Sequence, residues 1–196
     1  MAKESNIIEY TFQDTICYGH KPNYFSLLRM LLKNDSTYIV QLYRFSQYCN
    51  MRKTFIYTIL RKIGMRKFYT LTEKYPLFLE VRTEIGEGLF FPHRFPVVIN
   101  PDAKIGKYCI IHPCVLIGRD RGKKGAPIIG NNVFIGNGAK IIGNPIIGDY
   151  TFISPGAIIT KNIPAGSLVG AGVNNILSDK GKDHVLLYSL NNHQYT

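Results

Sequence analysis

Two imidazoles stand in the C-terminal half of the chain. His93 ends the run Gly88-Leu89-Phe90-Phe91-Pro92-His93, and His112 lies in Ile111-His112-Pro113-Cys114. Imidazole changes charge near neutrality, so either ring could take a proton from an attacking hydroxyl and later return it. A lone histidine is more often structural or merely exposed, and residue type alone does not choose between these roles. Cys109 and Cys114 are the only thiols nearby. The stretch Arg119-Asp120-Arg121-Gly122-Lys123-Lys124-Gly125-Ala126-Pro127 carries four basic residues against one acid. Such a loop suits an anionic ligand, and equally suits solvent.

The elements that must hold these groups announce themselves by a repeat. Ile129, Ile135, Ile141, Ile147, Ile153 and Ile159 are each six residues apart, and Ile99, Ile105, Ile111 and Ile117 show the same spacing upstream. Glycine follows several of them, as in Ile105-Gly106 and Ile147-Gly148. Neither a helix nor an ordinary strand has a period of six. A coil with three short flat faces does, each face turning one aliphatic residue inward and rounding a corner on a small residue. Stacked coils then bury an aliphatic column that no single coil could bury alone. Ordinary strands joined by hairpins would give irregular spacing instead.

The N-terminal part has another texture. Residues 1–20 read as a loosely ordered arm. Residues 21–74 read as helices: one from Pro22-Asn23 through Leu27, Leu28, Leu31 and Leu32, a second from Tyr38 to Cys49, and a third over 54–68 with Phe55, Ile56, Ile59, Leu60 and Ile63 on one side. Asn34-Asp35-Ser36 breaks the first and can cap the second. Residues 21–74 hold eleven Lys/Arg against Asp35 and Glu73, a net of +9 within a total of +11. That surface suits anionic partners or plain solvation. An apolar content of 45% supports a folded core. No apolar run is long enough for a membrane span, and residues 1–6 lack the apolar stretch of a secretory signal. The four scattered cysteines point to a reducing cytoplasm.

Residues 79–177 resemble the left-handed β-helix acyltransferases, specifically the serine acetyltransferase branch and its relatives in surface-polysaccharide biosynthesis. The matching stretches are Ile85-Gly86-Glu87-Gly88-Leu89-Phe90-Phe91-Pro92-His93, Asn137-Gly138-Ala139-Lys140-Ile141-Ile142-Gly143 and Ile159-Thr160-Lys161-Asn162-Ile163-Pro164. The resemblance implies a mainly β fold, a left-handed parallel β-helix of hexapeptide repeats. A helical domain (1–78) precedes it, and a short tail (178–196) follows. It implies transfer of an acetyl group from acetyl-CoA to a hydroxyl in a ternary complex, with His93 as general base. The family places an acidic residue before the first coil to orient that base, and Glu80 is nearest after a two-residue gap. Gly118, Gly138-Ala139 and Gly156-Ala157 fall where small residues line the CoA groove, although they could simply turn corners. Lys161 falls where a basic residue could meet CoA phosphates. His112 and Arg94 are taken as acceptor contacts. A homotrimer is implied, with active sites between adjacent β-helices.

Departures from the family pattern bear on the acceptor. Pro92 stands where serine acetyltransferases carry Asp, and Lys124-Gly125-Ala126-Pro127 stands where they carry Asp-Arg-His-Pro. The charged groups that would grip a free amino acid are missing, which favours a sugar or lipid-linked glycan hydroxyl in capsule or lipopolysaccharide biosynthesis. The basic helical domain would then meet an anionic membrane at the inner face of the cell membrane. Asn174-Asn175 replaces the usual Pro-Ala at the adenine end of the CoA site. Serine O-acetylation and an inactive scaffold are the alternatives. A γ-type carbonic anhydrase needs three zinc-binding histidines, and His20, His184 and His193 lie outside the coil, so no metal is expected. No nucleic-acid-binding motif is present.

Overall fold

Each isoleucine of the ladder lands on one of three parallel sheets in rotation. The structure is a computed structural model and describes residues 4–19, 36–52, 54–73, 76–93, 96–120, 122 and 124–192. Sheet A runs β1 (Leu77–Phe78), β3 (Val97–Ile99), β6 (Leu116–Gly118), β9 (Lys140–Ile142), β12 (Ala157–Ile159) and β14 (Gly172–Val173). Sheet B stacks β2 (Glu84–Ile85), β4 (Lys104–Ile105), β7 (Ile128–Ile129) and β10 (Ile146–Ile147). Sheet C stacks β5 (Ile110–Ile111), β8 (Phe134–Ile135), β11 (Phe152–Ile153) and β13 (Leu168–Val169), with β15 (Ile176–Ser178) antiparallel at its end.

The column is in register. Ile99, Ile117, Ile141 and Ile159 pair along sheet A, Ile105, Ile129 and Ile147 along sheet B, and Ile111, Ile135 and Ile153 along sheet C. All ten are buried. Burying each side chain contributes about 1.5–3 kcal/mol, and no single coil could gain it without its neighbours. The longer connection between β6 and β7 leaves the pairing on either side intact, and Pro127 O at its end accepts the Lys104 N–H at 3.0 Å. At the corner from sheet B to sheet C the backbone takes positive φ at Gly88, Tyr108, Asn132, Tyr150 and Gly166. Gly88 has a second reason to be glycine: a Cβ there would run into the Tyr108 ring.

Three described helices sit on the first coils: α1 (Glu4–Cys17), α2 (Ser36–Met51) and α3 (Phe55–Glu73). The expected helix at Pro22–Leu32 lies outside the described residues. The expected loose arm is instead helix α1. Its packing face combines Ile7 with the buried polar residues Asp14 and Thr15, so it carries little apolar periodicity. Gln41 Nε2 of α2 donates to Thr11 O at 3.2 Å and to Thr15 Oγ1 at 3.1 Å, so hydrogen bonds hold this contact where apolar burial does not. On α3, Gly64 and Phe68 face inward, while Phe55, Ile56, Ile59 and Ile63 are exposed. Among the described residues no helix is long and apolar enough to cross a membrane.

The expected tail contains a fourth helix, α4 (Gly181–Asn192). Its place follows from the outer face of sheet C. The residues there are Phe90, Ile110, Phe134 and Phe152, an apolar column that needs a cover. Val185 is buried against Ile110 and Phe134, with Phe152 and Tyr188 packed beside them.

Candidate active site

His93 sits in the loop that carries the chain from the Phe90 bridge on sheet C to β3 on sheet A. The next coils turn the same corner with His112-Pro113-Cys114, Asn137-Gly138 and Pro155-Gly156. Backbone bonds tie these turns together: Cys114 N–H donates to Pro96 O at 2.6 Å, Gly138 N–H to Pro113 O at 2.9 Å and Gly156 N–H to Asn137 O at 2.9 Å. Four of the residues singled out in the sequence, His93, His112, Gly138 and Gly156, therefore share one edge of the prism. Gly138 and Gly156 both have positive φ, and a Cβ on either would meet nothing within 4 Å. Open space and bare backbone run along this edge beside the histidines.

The two histidines are neighbours with different surroundings. Their ring centroids are 6.3 Å apart. His93 is exposed, and His112 is half-buried. His112 Nε2 lies 2.9 Å from Tyr188 Oη on α4. Its ring also packs on Phe134, with centroids 4.8 Å apart. Phe134 in turn stacks on Phe152 at 4.3 Å, with planes 2° apart. Burial first, and the adjacent His93 second, push the His112 pKa down to about 4. At neutral pH His112 is therefore an uncharged imidazole, able to donate one hydrogen bond and accept another.

The helical domain grips the strand that leads to His93. Arg44 and Asp14 are both fully buried, with Nε to Oδ2 at 2.8 Å. Arg44 donates from Nη1 to Ile85 O at 2.9 Å and from Nη2 to Gly86 O. Asp14 Oδ1 accepts the Leu89 N–H at 2.7 Å. Tyr18 Oη accepts the Phe91 N–H at 2.9 Å, and its ring meets Phe90 edge-on at 4.7 Å. Burial pushes the Asp14 carboxyl pKa up, against the pull of Arg44 and the backbone N–H groups.

Other expected site residues lie elsewhere. Glu80 lies away from His93 of its own chain: it follows β1 at the opposite end of sheet A, and its carboxylate accepts from Arg82 Nε at 3.0 Å. Among the described residues no carboxylate reaches His93. Gly118, the last residue of β6, and Lys161, which follows β12, also belong to that far corner. Ala139 and Ala157 do not line a surface groove with their side chains; both are fully buried in the column. Arg94 lies outside the described residues. Cys109 is buried, donates to Gly130 O at 3.3 Å, and has its thiol pKa pushed up to about 12 by burial, so it is no nucleophile at neutral pH. Sequence reasoning missed Tyr188, Asp14 and Tyr18. The signal for α4 was present in the aromatic residues that precede the inward aliphatics of sheet C.

Comparison with known proteins decides the family. A serine acetyltransferase of Helicobacter pylori (strain J99) is 32% identical over 155 residues, covering 77% of this chain and 86% of that enzyme. The chain belongs to the serine acetyltransferase family. The family model "Bacterial transferase hexapeptide (six repeats)" matches residues 126–161, the most regular part of the coil. A serine acetyltransferase of Synechococcus elongatus is 36% identical over 88 residues, and there the match spans only 36% of the longer enzyme. Among solved structures, the Neisseria gonorrhoeae serine acetyltransferase in complex with serine superposes with a TM-score of 0.67 at 21% identity, over 89% of this chain and 69% of that one. A serine acetyltransferase in complex with CoA gives a TM-score of 0.68 at 22% identity, over 88% and 70%. The fold is thus the left-handed parallel β-helix of the serine acetyltransferases, with helices before and after it, and the protein is an acyltransferase.

Proposed function

We propose that this protein is an acetyl-CoA-dependent O-acetyltransferase whose acceptor is serine. The match along 86% of the Helicobacter enzyme carries this reading. It stands against the sugar acceptor that the missing charged residues favoured. Supporting it are the exposed His93 and the open edge beside it, along which the bare backbone of Gly138 and Gly156 leaves room for a pantetheine arm. His93 takes the proton of the acceptor hydroxyl as its oxygen attacks the thioester carbonyl. The tetrahedral intermediate collapses, the C–S bond breaks, and the proton passes to the CoA thiolate. Neutral His112 offers the acceptor a hydrogen bond without adding charge. A homotrimer follows from the family resemblance, with the edge facing a neighbouring β-helix and Gly118 and Lys161 meeting the cofactor from there.

One observation favours a second reading. The loop 119–127 offers Lys124-Gly125-Ala126-Pro127, and Ala126 and Pro127 are buried, so no Arg-His pair is available for a carboxylate. A sugar hydroxyl needs no such pair. An acceptor screen with acetyl-CoA separates the two. Free thiol release and product mass are followed with L-serine, simple sugars and lipid-linked glycans. O-acetylserine formation establishes the first reading. Turnover only with sugars replaces it with the second, and no thiol release with any acceptor overturns both.

A further inference from the structure

We infer that the helical domain positions the catalytic base, with Tyr18 and the Asp14–Arg44 pair fixing the backbone that delivers His93. The inference rests on the reading of His93 as the base. Over residues 85–91, backbone groups bond to side chains of the helical domain: Ile85 O and Gly86 O to Arg44, Leu89 N–H to Asp14, and both Phe91 N–H and Phe91 O to Tyr18. Phe91 is two residues from His93. Within the same stretch Gly86 N–H bonds to Ile105 O and Phe90 N–H to Cys109 O of the next coil, the way turns further along the coil are held. Leu89 and Phe91 instead take side-chain acceptors from a different part of the chain.

The chemistry of the contact argues for positioning rather than plain adhesion. A fully buried Arg–Asp pair loses most of its attraction to desolvation, and apolar residues of similar size would dock two elements at least as firmly. What charge-assisted hydrogen bonds add is direction. Arg44 and Asp14 together fix one carbonyl pair and one N–H on opposite sides of the Gly88 turn. Tyr18 Oη then fixes the next N–H before Pro92 and His93. With no described carboxylate on its own ring, His93 takes its placement from its backbone. Tyr18 is thus a positioning residue that acts through Phe91.

Tyr18→Phe keeps the ring against Phe90 and removes the acceptor for Phe91 N–H. The expected result is a modestly lowered melting temperature, because the buried Phe91 N–H loses its acceptor, and an unchanged KM for acetyl-CoA. The kcat should fall on the order of tenfold, since an ångström of misplacement can cost up to about a hundredfold. A second measurement needs no turnover: in protein with labelled histidine, the His93 ring resonances should move in Tyr18→Phe while those of His184 stay. Asp14→Asn, which keeps an acceptor for Leu89 N–H but breaks the ion pair, should move the same resonances. Unchanged kcat with unmoved His93 resonances overturns the inference. So does a lowered melting temperature with unchanged kcat per folded enzyme, which would assign the network to folding alone. If no acceptor supports turnover, the proposed function fails, and the resonances alone decide the inference.

Discussion

His112 and Tyr188 meet at 2.9 Å although they are 76 residues apart in the chain. The contact ties the last described helix to the edge that carries His93. It also accounts for much of the electrostatic character of His112, because the helix that brings Tyr188 covers the ring and removes it from water.

Disrupting that cover should restore an ordinary imidazole. Tyr188→Ala opens the side of His112 that faces α4. Its pKa should rise from about 4 toward the ordinary histidine value near 6.5. A histidine NMR titration reads this directly. An unchanged midpoint would show that Phe134 and the coil alone set the value.

Acid should destabilise the fold through the same residue. The folded-state pKa is depressed, so above about pH 6.5 neither state binds this proton and the full stability is present. As pH falls from about 6.5 to about 4, the unfolded chain takes up a proton that the folded protein refuses, and stability declines. Thermal melting across that range should show the decline, and His112→Gln should make it shallower. Equal slopes in both proteins would remove His112 from the pH dependence.

Under the proposed function, removing His93 should abolish chemistry and spare binding. His93→Ala is expected to lower kcat by roughly a hundred- to ten-thousandfold, the ordinary contribution of a general base. CoA affinity, measured by calorimetry, should stay within about twofold of wild type because an exposed ring in the turn adds little to cofactor binding. Cys114→Ser, at the same edge, should leave turnover intact if transfer is direct. Acetyl-cysteine trapped at Cys114 would replace direct transfer with an acyl-enzyme.

The column should be sensitive at any rung. Ile135 is fully buried with Ile111 below it and Ile153 above it. Ile135→Ala should cost about 2–5 kcal/mol, read as a shift in the denaturant midpoint. A loss under about 1 kcal/mol would mean that the coils close over the gap.

What the sequence disclosed follows from range. The isoleucine ladder is a local repeat whose period maps straight onto geometry, so spacing alone distributes Ile99 through Ile159 over three faces. Helix α2 showed itself in the same way. Helix α1 did not, because its packing face uses Asp14 and Thr15, and a polar face held by hydrogen bonds leaves no hydrophobic period. Helix α4 hid for the complementary reason. Its partner is the outer face of sheet C, whose residues Ile110, Phe134 and Phe152 stand outside the six-residue ladder. Glu80 stands where the family resemblance puts an acidic residue before the first coil, whereas the turn after β1 sends it to the other end of sheet A from His93 of its own chain. Long-range pairs such as Asp14 with Leu89 have no local signature at all.

The excursion between Ile117 and Ile129 carries a separate implication. Both β6 and β7 keep their partners, and the last two residues of the excursion belong to the stack: Ala126 and Pro127 are buried, and Pro127 O accepts the Lys104 N–H at 3.0 Å. A change of length or charge that spares the rungs belongs upstream of Ala126, provided Ile128 and Ile129 return to β4. The stretch before Ala126 can therefore vary in length and charge independently of the rungs that keep the coil folded.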